Sequence, residues 1–218
     1  MASYAEAAVN RSIKALMRRD DDLARETHQG DDLIDRLEIE IDELALSLLA
    51  RRPASFELRL IAVAMKISHN LERVGDEATT ISRRVIELGQ EPQLRQAAQV
   101  PAMANLVLPM LKEALDAFVS GRVAQALAVI PRDKTVDELN RRLHQELAAV
   151  MTERPSTISR CLNLMVISKC LERIGDHATN VAEDVVYLYE GRDIRHQDNP
   201  KAAIRIRSTP NETKNSEI

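Results

Sequence analysis

The sequence predicts an all-α protein built as two tandem, pseudo-symmetric three-helix bundles, six helices in total. Three observations carry this. Aromatic residues make up 2% of the chain and Trp is absent, while 44% of residues are hydrophobic. The apolar content is therefore Ala, Leu, Ile, Val and Met, which suits helix packing better than strands. Apolar positions recur in steps of three and four, the helical period, and nothing reads as a strand. Finally, the stretch Leu71-Glu72-Arg73-Val74-Gly75-Asp76-Glu77-Ala78-Thr79 returns one hundred residues later as Leu171-Glu172-Arg173-Ile174-Gly175-Asp176-His177-Ala178-Thr179, with seven of nine residues identical.

Taken in order, residues 1–19 form an amphipathic helix with Ala8, Ile13, Leu16 and Met17 on one side. Asp20, Asp21 and Asp22 start the next helix, since short acidic side chains cap free backbone N–H groups. That helix runs to about Ala50 through Leu33, Leu37, Ile41, Leu44 and Leu48, loosened early by Gly30. Pro53 ends it, having no N–H to continue the ladder. A long helix follows from Phe56 to about Leu88, with one stripe of Leu60, Ala64, Ile67, Leu71, Val74, Ala78, Ile81, Val85 and Leu88. At 1.5 Å per residue it spans about 50 Å.

The second unit repeats the plan. Pro101 starts a helix carrying Leu106, Leu111, Leu115 and Phe118, and Gly121 ends it. Val129, Val136, Leu139, Leu143 and Leu147 mark the next, kinked or truly begun at Pro131. Pro155 breaks it as Pro53 does in the first unit, at an offset of 102, and a third helix runs from Thr157 to about Tyr189. The expected units are residues 1–92 and 99–191. Beyond them, 192–218 carries Arg192, Arg195, Lys201, Arg205 and Arg207 without apolar period, and reads as a basic, disordered tail.

Composition narrows the function. The net charge is −4 and base-stacking aromatics are nearly absent, so nucleic acid is not an expected partner. No apolar run approaches the roughly 18 residues of a membrane span, and no signal peptide pattern opens the chain. Cys161 and Cys170 stand nine residues apart on one expected helix, about 13 Å along its axis. A disulfide cannot bridge that distance, so both should be free thiols.

The chemistry lies in paired carboxylates. Glu72 and Asp76, and again Glu172 and Asp176, stand four apart and so share a helix face. The preceding helices carry Asp31 with Asp35 and Asp133 with Asp137, once more at an offset of 102. In each unit both pairs lie about 20 residues from the proline turn, on opposite sides of it. Equal distance from the turn of an antiparallel hairpin means equal height. One acidic pair is ordinary on a solvated helix; four at matched positions point to two oxygen-rich cation sites. Such sites suit Mg²⁺, Mn²⁺, Ca²⁺ or iron. A ferritin-like di-iron site would need Glu-x-x-His motifs, which neither unit has. His69 precedes Glu72 by three and could join the first group, although its counterpart is Lys169. Gly75 and Gly175 are expected to permit close helix approach.

The doubled motif, with Leu48-Leu49-Ala50-Arg51-Arg52-Pro53 followed by Glu57-Leu58-Arg59, resembles the PhoU family over roughly residues 5–190. The resemblance implies a PhoU-like pair of three-helix bundles and a cytoplasmic, non-catalytic regulator of high-affinity phosphate uptake. Such a protein links a phosphate ABC transporter to a membrane sensor histidine kinase and represses the phosphate-starvation response; a homodimer is the expected assembly. Some members bind metal clusters through Glu/Asp-x-x-x-Asp motifs, which fall here on Asp31, Asp35, Glu72, Asp76, Asp133, Asp137, Glu172 and Asp176. The ions implied are divalent or trivalent, with iron, manganese, magnesium, zinc and calcium all left open. The copies diverge at Glu77 against His177 and at Thr80 against Asn180, so the halves are not expected to behave identically. The rival reading is a metal-dependent hydrolase or oxidase. It lacks a nucleophile–base pairing, a phosphate-cradling Gly-rich loop and a His-rich ligand set. A third reading is a bare helical scaffold with solubilising acid.

Overall fold

The computed structural model describes residues 1–30 and 32–195, the side chains of 28 and 29 aside. Among these residues every regular element is helical. The first half comprises α1 (Ala2–Arg18), α2 (Asp21–Gln29), α3 (Asp32–Leu49) and α4 (Ser55–Gly89). The second comprises α5 (Val100–Ser120), α6 (Val123–Val129), α7 (Asp133–Glu153) and α8 (Ile158–Glu190). The six-helix plan holds, with the middle rod of each half interrupted. In the first half the break falls at Gly30; in the second a 3₁₀ turn, Ile130–Arg132, carries Pro131 between α6 and α7.

The local signals act as their chemistry dictates. Asp20 caps α2 by accepting from Leu23 N at 2.9 Å. Glu57 reaches back to accept from Ala54 N at 3.0 Å and opens α4. Gly121 (φ 68°) and Gly191 (φ 65°) take the left-handed conformation that closes α5 and α8. Arg19 donates to the carbonyls of Leu88, Gly89 and Glu91, satisfying the C-terminal end of α4 from outside.

The halves meet where α4 lies antiparallel on α8. Arg59 donates to Leu188 O, Lys66 pairs with Asp184, His177 with Asn70, Arg173 with Glu77, and Arg160 with Glu91. These pairs run in opposite directions and centre on Val74 and Ile174, both fully buried and both in the duplicated motif. A pseudo-twofold axis therefore passes through the motif itself. One buried apolar cluster takes residues from both halves, among them Leu71, Ile81, Val107, Leu143, Ile167 and Leu171. Helix α8 touches α4, α5, α6 and α7, so its buried residues are not confined to one stripe.

Three expectations change. The stripe of α4 begins on Ile61 and Val63, both buried, rather than Leu60, which is 37% exposed. On α3 the expected stripe is largely open. Leu33 and Leu44 are exposed, and Ile34 and Ala45 take the buried places. In the second half α7 is covered, with Val136, Leu143 and Leu147 fully buried and Gln99 of the 3₁₀ turn Arg95–Gln99 bonded to Glu146. In the first half α1 spends its apolar face on α2, α4 and α5. Lastly, the expected tail does not start at 192: Ile194 packs against the core, and Arg195 bonds Asp193. Residues 196–218 lie outside the described residues.

Cys161 and Cys170 are free and buried, as their spacing requires. Burial, and then the nearby Glu77 carboxylate, push the Cys170 thiol well up, so it carries little thiolate to react. Both thiols are expected to resist a thiol reagent in the native protein and to titrate fully after denaturation without reductant. Ile174→Ala should cost about 2–5 kcal/mol, the usual range for deleting a buried Ile side chain. Because the axis ties both halves into one cluster, urea denaturation should show one transition shifted to lower midpoint. Two separated transitions would overturn the shared core.

Candidate metal centres

Each half brings carboxylates of its middle rod against carboxylates of its long helix. In the second half the two helices do what equal heights require. Asp133 and Asp137 from α7 and Asp176 from α8 offer ligand oxygens that all lie within 4.8 Å of one another. Ligand bonds of about 2 Å put opposite donors about 4 Å apart, so a slight closure would seat one ion. Asp133 Oδ1 is buried and has no hydrogen-bond partner. It faces Gly175, where an added methyl would stand 3.6 Å from that oxygen. That is ordinary contact, so close approach does not by itself require glycine at 175. Glu172 lies at the edge of the group, already paired with Lys169.

The electrostatics are those of a crowded acidic group that Lys169 offsets in part. Burial pushes Asp133 up to about 6, with Asp137, Glu172 and Glu183 adding repulsion. Asp176 is likewise pushed to about 6, by burial first and then by Asp133, Glu172 and Asp137. An orphaned oxygen and two raised carboxyls fit a hard, oxygen-ligated ion.

The first half is built differently. Asp31 lies outside the described residues. Asp35 on α3 is raised by partial burial, with the Asp76 charge next in weight. Glu72 is raised by burial and then by Asp76, against the pull of Arg73. Arg73 sits over this pair, 3.1 Å from Asp76 Oδ2 and 3.3 Å from Glu72 Oε2. The second contact lies in ion-pair range but outside hydrogen-bond geometry, so Glu72 Oε2 also remains unbonded. The tight group here is Glu38, His69 and Glu72, again within 4.8 Å, with His69 Nδ1 donating to Glu38 Oε1 at 3.1 Å. His69, which could join the first group by its spacing, does lie beside Glu72 here. Its counterpart Lys169 says nothing against it, because Lys169 performs another task. Glu38 was missed altogether, although the spacings Asp35-x-x-Glu38 and His69-x-x-Glu72 would have shown both one turn from the motif.

The divergent motif position belongs to the seam instead. Glu77 accepts from Arg173 at 3.1 Å, beside Cys170. Across the pseudo-twofold axis, His177 Nδ1 donates to Asn70 Oδ1 at 2.9 Å. Burial lowers the His177 pKa, which keeps the ring neutral. Each residue answers the partner at the equivalent place: Arg173 and Cys170 for Glu77, Asn70 for His177. At the other divergent position Asn180 donates across the seam to Asn70, whereas Thr80 accepts from Arg83 on its own helix.

Comparison with known proteins places the chain. The PhoU domain model matches twice, over residues 1–85 and 100–185. A phosphate-specific transport system accessory protein PhoU homolog of Pseudomonas aeruginosa is 43% identical over 198 residues, 90% of this chain and 82% of that protein. A PhoU homolog of Caulobacter vibrioides is 38% identical over 199 residues, covering 90% and 86%. The crystal structure of PhoU from Pseudomonas aeruginosa superposes with a TM-score of 0.85 at 42% identity, covering 88% of this chain and 92% of that one. The phosphate transport system regulatory protein PhoU from Streptococcus pneumoniae gives 0.83 at 25% identity, covering 88% and 91%.

The raised carboxyls set a pH dependence. Their folded-state values, about 6, stand above the 3.8 of an ordinary aspartate. Their protonation therefore stabilises the folded chain fully below about 3.8, and that contribution is lost as pH rises through about 6. The metal-free protein should lose melting temperature between pH 4 and 7 relative to Asp133→Asn/Asp176→Asn. Cation affinity should fall as the pH drops below about 6, because protons compete for the same oxygens. Equal pH profiles for parent and variant would contradict this electrostatic account.

Proposed function

The chain belongs to the PhoU family, and on that premise we propose that it regulates phosphate uptake as a metal-binding adaptor. The family consists of accessory and regulatory proteins, not enzymes, so the hydrolase or oxidase alternative falls away. In the proposed role the chain links a phosphate ABC transporter to a sensor histidine kinase and holds the phosphate-starvation response off while phosphate is plentiful. The observation that carries this reading is the likeness, over both repeats, to accessory proteins named for phosphate-specific transport. Work in the cytoplasm, at the inner face of the membrane, fits a chain in which no described helix is long and apolar enough to cross it. A homodimer is part of the same proposal.

The metal centres support the adaptor reading physically. In the second half Asp133, Asp137 and Asp176 would hold the ion; in the first, Glu72 with its neighbours on α3 would do so. The ion would supply the positive charge that lets two acidic helix faces stay together. Binding to the folded chain alone raises stability by about 2.7 kcal/mol at a hundredfold excess over Kd. The metal thereby sets how firmly α3 and α7 are held against α4 and α8, and so the surface offered to partners.

Asp76→Asn with Asp176→Asn should lower bound metal in the purified protein and remove the metal-dependent rise in melting temperature. The helical circular dichroism should not change. In cells lacking the chain, starvation genes should be expressed in phosphate-rich medium and silenced again by the parent. A pull-down from phosphate-replete cells should bring down kinase and transporter components. If the parent restores no repression, the regulatory role is wrong; if parent and double variant carry equal metal, the clusters are merely surface acid.

A further inference from the structure

The two cation groups are not copies of each other, although the motif that supplies them is. At two positions flanking the shared carboxylates the halves differ. The first has Glu38 and His69 where the second has Asn140 and Lys169. The structure uses all four. Asn140 is buried and turned away, accepting from Ser168 at 2.8 Å. Lys169 reaches Glu172 and neutralises it in place. On the first half, Glu38 and His69 turn toward each other and toward Glu72. One group therefore presents three aspartates, and the other two glutamates and an imidazole.

We infer that His69 and Glu38 give the first half a nitrogen-bearing cation site which its repeat lacks, and which prefers Zn²⁺ or Co²⁺ to Mg²⁺. The inference rests on the metal-binding reading above and specifies it. Imidazole suits borderline transition ions, whereas carboxylates alone suit Mg²⁺, Ca²⁺ and Mn²⁺. The His69 ring bonds Glu38 through Nδ1, and when it ligates, the other nitrogen can face solvent or a further carboxylate. The ring is more than half exposed, so it can turn without disturbing the core. Helix α3 is the less buried middle rod, with only Ile34 and Ala45 in the core, and can close on α4 around an ion. Lys169 at the equivalent place brings a fixed positive charge and no available lone pair. The same fold thus carries a site of intermediate softness on one side of its pseudo-twofold axis and a hard site on the other.

The test uses the full chain and the metals alone. Asp137→Asn/Asp176→Asn disables the second group. In that background equilibrium dialysis should still find a Zn²⁺ or Co²⁺ site, with a Co²⁺ absorption band that shows nitrogen ligation. Adding His69→Lys should weaken Zn²⁺ and Co²⁺ binding by about tenfold or more and erase that band. It should leave the helical circular dichroism unchanged. The reciprocal Lys169→His/Asn140→Glu in an otherwise unchanged chain should add Zn²⁺ affinity to the second half. If His69→Lys leaves Zn²⁺ affinity and the Co²⁺ spectrum intact, the nitrogen site is overturned while metal binding stands. If the parent binds none of these ions, both readings fall together.

Discussion

The structure depends on the antiparallel packing of α4 on α8 across the duplicated motif. Val74 and Ile174 are fully buried at the crossing, and the pairs on either side keep the register, from Arg59 at Leu188 to Arg160 at Glu91. A single three-helix bundle of this length would leave one side of its longest helix bare. Joining two bundles through those sides buries the apolar surface in one cluster. The burial requires both copies of the motif to present small or branched apolar residues inward, and it turns Glu72, Asp76, Glu172 and Asp176 outward toward the middle rods. The fold and the placement of the acid follow from one contact.

That contact also accounts for where the repeats diverge. A pseudo-twofold seam brings each residue of one copy against a different residue of the other, so the copies need complementary rather than identical side chains. Glu77 meets Arg173, and His177 meets Asn70. At 177 the imidazole finds an amide oxygen in Asn70, where the residue at the equivalent place beside Glu77 is Cys170. Lys66 and Asp184 form a similar one-sided pair, with Asp184 nearly buried. The divergences at 77 and 177 accompany association, while those at Glu38/Asn140 and His69/Lys169 lie beside the middle rods.

The acidic groups sit where repulsion is highest and solvent screening is reduced. Without a cation, burial and mutual repulsion raise Asp133 and Asp176 to about 6. In the first half the chain answers with Arg73 and the His69–Glu38 pair. These are two solutions to one electrostatic problem. The acid lies on both partners of each contact, α3 with α4 and α7 with α8.

The sequence by itself determined a good deal. Steps of three and four in the apolar residues, Asp20, Pro53, Pro131 and Gly121 located the helices and their ends, because helix period and capping are local. Distance from a proline turn put carboxylates of neighbouring helices level, because rise per residue is constant. A spacing of nine positions from Cys161 to Cys170 ruled out their disulfide for the same reason. Only the tertiary structure decided how each rod is rotated about its axis. That rotation brought Glu38 and His69 together, left Leu44 outside, and selected Ile34 and Ala45 for the core. It also decided that α4 and α8 pack antiparallel and that Glu77 and His177 belong to the seam. Rotation and association are set by the fit of side chains contributed by segments about a hundred residues apart, and no periodicity within one segment records that fit.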